Sequence, residues 1–321
     1  MNGQALMTGA IRDVGAQPAA LLEFGHVTKW YGTIAALMDV SFQVGTEVVG
    51  LIGKNGVGKS SLMKLAVGLL RPSQGRILVG GNEAGSLRAR AMIGFCPEVD
   101  RLYEDLTGVT FVAWMLRYHG WSRREAMQRS AEVLAELGLG ANMHRPIREY
   151  SKGMRQRVRL GQALAHRPRF LLLDEPMTGL DPVARSELTR TIRQLPAQGV
   201  GVLVSSHVLH ELEAVVDRVV LVHQGRLVAD GRVADLRDQL PAQPHRVRVV
   251  APRLRELAGR LVTWSQVQSV TVGEQALEVW LSGAPGFYES LTELGASWPG
   301  GLQEIRALDD DLASVFGYLV G

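Results

Sequence analysis

The chain has one cysteine, Cys96, among its 321 residues. A single thiol excludes an internal disulfide and suits a reducing compartment. Cys96 lies in an apolar run, where a buried structural thiol is expected rather than a reactive one. Long hydrophobic stretches are also missing. No run approaches the roughly 18 apolar residues that a bilayer-crossing helix needs, so any work at a membrane is expected from its cytoplasmic side, through a partner. Excess charge of one sign is scarce: 35 Lys and Arg against 32 Asp and Glu leave a formal net charge of +3. That surplus does not imply a nucleic-acid partner, and none is expected. Residues 1–20 mix Gly, Gln, Asp and Arg without an apolar core and are expected to form a flexible leader rather than a secretory signal.

What is present is an ordinary globular composition, 46% hydrophobic and 21% charged. The length suits a large and a small domain, each with its own core. One stretch organises the larger. Residues 53–60 fit the phosphate-loop template G-x-x-x-x-G-K-[ST], with Gly53, Asn55, Gly56, Gly58, Lys59 and Ser60 in it and Ser61 just after. An apolar, β-branched run at 47–52 precedes it as a buried strand, and 60–67 follows with helical spacing, Leu62, Leu65 and Ala66 on one face. A strand, a glycine turn and a helix start aim backbone N–H groups and the positive end of a helix dipole at one anion. Glycine serves where the backbone passes close to phosphate oxygens or takes positive φ. In such a loop Lys59 reaches the β- and γ-phosphates and the Ser60 hydroxyl holds Mg²⁺.

The second strong signal is 169–176, where Phe170, Leu171, Leu172 and Leu173 make a buried strand that delivers Asp174 and Glu175 to its C-terminal end. Ligands of parallel α/β sheets bind at that end. Asp174 suits a Mg²⁺ position and Glu175 a base that polarises water. Other stretches have two readings each. Tyr31 offers a flat face for a nucleobase or is a half-buried core tyrosine. Ser151 and Gly153, before a helix at 158–165, are an anion-binding cluster or a capped helix start. Arg155, Arg157 and Arg159 form a basic patch or a solvated helix face. His207, past the strand at 200–204, contacts a γ-phosphate or caps the structure.

The remaining pattern orders the chain. Short alternating runs at 22–50 predict antiparallel strands, 91–96 a further strand, and 107–138 helices, with Phe111, Trp114, Met115 and Tyr118 on one face. A proline-marked linker at 240–244 precedes a strand–helix–strand–strand–helix–strand order at 246–307 and a last helix from Leu312, which predicts a ferredoxin-like sandwich.

Taken in order, these motifs resemble the ATP-binding subunit of an ATP-binding-cassette (ABC) transporter, in the group associated with exporter (ABC-2 type) permeases. The resemblance covers roughly residues 20–235. Lys59 and Ser60 match its phosphate loop, Tyr31 its base-stacking aromatic, and residues 150–154 its signature loop. Asp174 and Glu175 match its second nucleotide motif, residues 178–181 with Asp181 its D-loop, and His207 its switch histidine. The resemblance implies an α/β P-loop NTPase core at 21–239, with an antiparallel β subdomain and a helical subdomain at about 106–150. A small α+β domain follows at 245–321. It implies ATP and Mg²⁺ as cofactors, hydrolysis with Glu175 and His207 at the γ-phosphate, and a homodimer or pseudo-dimer closed by ATP. In that dimer Ser151 and Gly153 of one copy meet the nucleotide on the other. It further implies an integral membrane permease supplied by another chain, and a place on the inner face of the cytoplasmic membrane. Two positions depart from the family pattern. Glu98 stands where glutamine is usual, and as a carboxylate it is a stronger Mg²⁺ ligand that cannot donate a hydrogen bond when ionised. Ser151-Lys152-Gly153-Met154 replaces the commoner Ser-Gly-Gly-Gln and resembles drug- or lipid-exporter subunits. The alternative function is a soluble ATPase of the same superfamily acting on nucleic acid or ribosomes.

Overall fold

A computed structural model describes residues 11–12, 20–54, 56–99, 101–238, 245–282, 286–309 and 311–320. The chain divides into two units, Met1–Gly231 and Arg232–Gly321. In chain order the first begins with β1 (Ile11–Arg12), β2 (Leu22–Tyr31), β3 (Ile34–Val44), β4 (Val48–Ile52) and α1 (Lys59–Ala66). It continues with β5 (Gln74–Val79), β6 (Asn82–Glu83), α2 (Leu87–Met92), β7 (Ile93–Cys96), α3 (Gly108–Tyr118), α4 (Arg123–Glu136) and α5 (Lys152–Ala165). It closes with β8 (Phe170–Asp174), α6 (Pro182–Gln194), β9 (Gly201–Ser205), α7 (Leu209–Glu213), β10 (Arg218–His223) and β11 (Arg226–Gly231).

Strands that are apolar throughout need cover on both faces, and here they form the centre of a seven-stranded sheet in the order β1-β11-β10-β4-β9-β8-β7. The five strands from β10 to β7 are parallel to one another, and β11 is antiparallel to β10. Every residue of β4, β8 and β9 is buried. Within the expected leader, Ile11–Arg12 instead pairs in parallel with Ala229 and Asp230 of β11. The outer edge of the β10–β11 hairpin carries backbone groups that need partners, and this segment supplies them. A second, antiparallel sheet, β3-β2-β5-β6, packs on the same core. Phe24 and Phe42 face each other across it with ring centroids 4.6 Å apart.

Three features add to or depart from the predicted pattern. Phe111 is buried with Val112 and Leu116, but Trp114 and Tyr118 are 51% and 86% exposed, so α3 is apolar on more than its core face. Residues 91 and 92 belong to the last turn of α2, and the strand begins only at Ile93. Helix α5 begins at Lys152 rather than at 158, with Ser151 as its N-cap, so most of the signature stretch is helix. The capping hydroxyl accepts from Met154 N at 3.2 Å, which satisfies an otherwise unpaired helix-start N–H.

The second unit contains α8 (Val233–Asp238), β12 (His245–Val250), α9 (Leu254–Leu261), β13 (Val267–Val272), β14 (Leu277–Leu281), α10 (Phe287–Ser297), β15 (Glu304–Ala307) and α11 (Leu312–Val320). Its antiparallel sheet has the order β13-β14-β12-β15, the arrangement of a ferredoxin-like sandwich. The division falls before α8, ahead of the proline-marked stretch 240–244, which lies outside the described residues. A physical reason is the buried ion pair of Arg237 on α8 with Asp309, both side chains 2% exposed. Asp309 Oδ1 also accepts from Arg246 N at 3.1 Å, so α8 is tied to this unit's own sheet.

In the first unit, the end of α5 meets α3 and β7 through two stacked imidazoles. The rings of His119 and His166 lie 4.2 Å apart, and His166 Nε2–H donates to Ile93 O at 3.1 Å. Burial, with His119 alongside, lowers the His166 pKa to about 4. An unfolded His titrates near 6.5, so between these values the unfolded chain binds the extra proton. Stability present above pH 6.5 is therefore lost as the pH falls towards 4, by on the order of 3 kcal/mol for this one group. Unfolding free energies measured from pH 7 to pH 4 are expected to fall less steeply for His166→Phe than for the natural protein.

Candidate functional site

The loop after β4 is shaped by what cannot fit there. A Cβ on Gly53 would lie 2.4 Å from Val222 O, and one on Gly58 would lie 2.7 Å from Leu37 Cδ2 and 2.9 Å from Ala36 O. Gly58 has φ +108 and caps α1, a backbone that side chains rarely allow. Gly56 also has positive φ, with open space where its Cβ would be. Asn55 lies outside the described residues. Lys59, the first residue of α1, is buried, and its Nζ donates to Gly53 O at 2.6 Å and to Lys54 O at 3.4 Å. Burial lowers its pKa, against the opposing pull of Glu175, Asp174 and Glu98.

The carboxylates come from the next two strands. Parallel β8 and β9 place Asp174 level with Ser205, and Ser205 Oγ donates to Asp174 Oδ1 at 2.7 Å. Glu175 N–H donates to the same Oγ at 3.0 Å. Glu175 has φ +50, a left-handed conformation that costs a non-glycine residue about 1–2 kcal/mol. His207, just past β9, donates from Nδ1 to Glu175 Oε2 at 2.8 Å; Glu175 is 8% exposed and His207 47%. With Nδ1 as donor, Nε2 is an acceptor in the neutral ring and donates to a substrate oxygen only in the imidazolium.

These groups border one cavity of about 460 Å³, lined by Tyr31, Gly56, Gly58, Ser60, Ser61 and Glu98 together with Lys59, Asp174, Glu175 and His207. Tyr31 is 45% exposed, with Lys29 Nζ over its ring at 5.3 Å from the centroid, and its hydroxyl is 3.2 Å from Ser61 Oγ. Gly53 lies behind the loop, where its carbonyl holds Lys59. Ser151, Gly153 and Asp181 do not line the cavity. Asp181 caps α6, its Oδ1 accepting from Val183 N and Ala184 N at 3.0 Å each. Among the described residues no cluster of three or more His, Cys, Asp or Glu could hold a metal ion. Ser60 and Asp174 nevertheless offer hard oxygen donors, and Mg²⁺ characteristically takes one or two protein oxygens plus substrate phosphates. The donor set fits that mode.

The family described as ABC transporter matches residues 37–178. The linearmycin resistance ATP-binding protein LnrL of Bacillus subtilis is 32% identical over 267 residues, 82% of this chain and 86% of that protein. This chain belongs to the ABC transporter family. The daunorubicin/doxorubicin resistance ATP-binding protein DrrA of Streptomyces peucetius is 32% identical over 78% of this chain and 77% of its own length. A solved structure of an ATP-binding subunit of an ABC transporter superposes with a TM-score of 0.63 at 34% identity, covering 68% of this chain and 93% of that one. The protein is accordingly an ABC-type ATPase with the P-loop NTPase fold.

Two elements of this ABC ATPase were not foreseen from its sequence. Ser205 is one; the only signal was a hydroxyl ending an otherwise apolar strand. The other is Arg159. The three arginines of α5 form neither a patch nor a solvated face, because each has its own partner. Arg155 pairs with Glu104 at 2.6 Å and Arg157 with Glu187. Arg159 reaches the carbonyls of Pro97 and of Glu98, the latter at 3.1 Å, so α5 grips the loop that carries Glu98. Cys96 is fully buried.

Replacing Lys59 removes the one buried cation of the loop. Lys59→Ala is expected to weaken ATP binding by about 1.5–3 kcal/mol, roughly ten- to hundredfold. Equilibrium titration with a fluorescent ATP analogue measures this, and wild-type affinity would remove Lys59 from the site.

Proposed function

We propose that this ABC ATPase is the motor subunit of an exporter, working from the inner face of the cytoplasmic membrane on a permease made by another chain. The observation that carries the motor reading is the meeting of Lys59, Ser60, Asp174, Glu175 and His207 on one edge of the parallel sheet. Export is supported by the printed names of LnrL and DrrA, both resistance proteins, matched over about four-fifths of the chain. A separate permease is supported by the helices: among the described residues none is long and apolar enough to cross a membrane. A second cleft of about 940 Å³ also offers a docking place. It is lined in part by Leu69, Leu87, Val99 and Tyr118, all more than half exposed, and Glu98 borders both this cleft and the ATP cavity.

In this reading Tyr31 stacks on the adenine, and the N–H groups of the loop with Lys59 bind the β- and γ-phosphates. Ser60 and Asp174 hold Mg²⁺, with Glu98 beside them, and the ion when bound neutralises charge on the phosphate oxygens. Glu175 polarises the attacking water while His207 orients Glu175 and contacts the γ-phosphate. Ser151 and Gly153 stand outside the cavity of their own chain, which supports their use by a second copy, so that ATP closes a head-to-tail dimer. Asn55 belongs to the loop, and Asp181, at the start of α6, faces the dimer contact. The small second unit then serves as an accessory domain.

Two experiments test this. Glu175→Gln is expected to retain ATP binding while losing turnover by at least about a hundredfold, as removal of a general base does. The variant accumulates as an ATP-bound dimer visible by size-exclusion chromatography with light scattering; unchanged turnover would remove Glu175 from the chemistry. The exporter reading is tested by purifying the tagged protein from detergent-solubilised native membranes. Recovery with an integral membrane protein is expected, and recovery with ribosomes or DNA alone would favour the soluble alternative.

A further inference from the structure

We propose that Ser205 is a positioning residue for ATP hydrolysis, its one hydroxyl setting both the metal-facing oxygen of Asp174 and the backbone of Glu175. This deepens the roles proposed above for those two carboxylates and rests on them.

Ser205 is the last residue of β9, is fully buried, and is the register partner of Asp174. Its Oγ is 2.7 Å from Asp174 Oδ1 and 3.0 Å from Glu175 N. Valence fixes the direction of both bonds. A backbone N–H can only donate and an ionised carboxylate can only accept. The Glu175 N–H therefore points at Oγ, and the hydroxyl's single proton points at Oδ1. No other setting of the hydroxyl serves both partners.

Two consequences follow for the chemistry. The hydroxyl occupies one lone pair of Oδ1 while Oδ2 keeps both of its own, so the bond biases Oδ2 toward a divalent cation and holds the carboxylate's rotation. At Glu175, the same oxygen satisfies a buried N–H on a residue held at φ +50. An N–H left without a partner there, on a backbone already strained, has reason to move. Such a movement puts at risk the contact of the Glu175 carboxylate with His207, now at 2.8 Å. The neighbouring Ser206 has its own task, its Oγ accepting from Val208 N at 3.0 Å.

The test uses the full chain and measures affinity for a non-hydrolysable ATP analogue with Mg²⁺ and with EDTA, beside kcat and KM. Ser205→Ala is expected to lower kcat and the Mg²⁺-to-EDTA affinity ratio each by about 10- to 100-fold, as loss of a ligand-orienting partner does, with affinity in EDTA unchanged. Ser205→Thr keeps the hydroxyl and is expected to restore the ratio. Wild-type kcat and ratio in Ser205→Ala would overturn the proposal. So would an equal loss of affinity in both buffers, or a Ser205→Ala protein that no longer folds, since either assigns the residue to structure alone. A natural protein with the same affinity in Mg²⁺ and EDTA would remove the metal role of Asp174 itself; a normal natural ratio that Ser205→Ala retains overturns only the Ser205 role.

Discussion

The parallel, in-register pairing of β8 with β9 is the constraint on which the rest of the site depends. It sets Asp174 level with Ser205 and leaves Glu175 and His207 on the two chain segments that leave the sheet side by side. A shift of one residue would turn each strand's side chains to the opposite face. Such a shift is costly here because every residue of both strands is buried, so either face presents apolar side chains to a filled core. β4 pairs with β9 on its other side, which brings the phosphate loop to the same edge. Stiff apolar strands thus do for the polar groups what the loops alone could not: they fix where each loop begins.

Charge balance across that edge is the second constraint. Lys59 is a buried cation whose own loop carbonyls hold it, and three carboxylates pull on it from the facing loops. Burial disfavours the ammonium and the carboxylates favour it. ATP brings further negative charge to this edge, which favours the Lys59 ammonium and opposes the three carboxylates. Glu98 tilts this balance further than a neutral glutamine would, by placing one more negative group at the border of the two clefts.

Much of this was legible in the sequence because the decisive features are local. The phosphate loop, the strand ending in Asp174 and Glu175, and the strand–helix order from β12 to α11 are set by short-range pattern. What escaped depends on long-range placement. Ser205 has meaning only once β8 lies beside β9, thirty-one positions away. Arg155, Arg157 and Arg159 look alike in sequence, yet their partners lie on three different segments. The exposure of Trp114 and Tyr118 was not legible for a related reason. Helical periodicity marks an apolar face but does not say whether that face meets this chain's core. Asp309 shows the same limit, since its partner Arg237 lies on the far side of the predicted linker.

α5 is where these observations join. Its N-cap is Ser151, and eight residues on, about two helical turns, Arg159 holds the carbonyls of the Glu98 loop. Arg155 ties the same helix to Glu104, and Arg157 ties it to Glu187 on α6, the helix that Asp181 caps. Under the proposed pairing, Ser151 answers to the nucleotide on the second copy while Glu98 answers to the nucleotide on its own. One helix then joins both, with Ser151 at its N-terminus and Arg159 against the loop that carries Glu98. The helix is also the edge of the cleft where Gln162 and Ala163 line the wall.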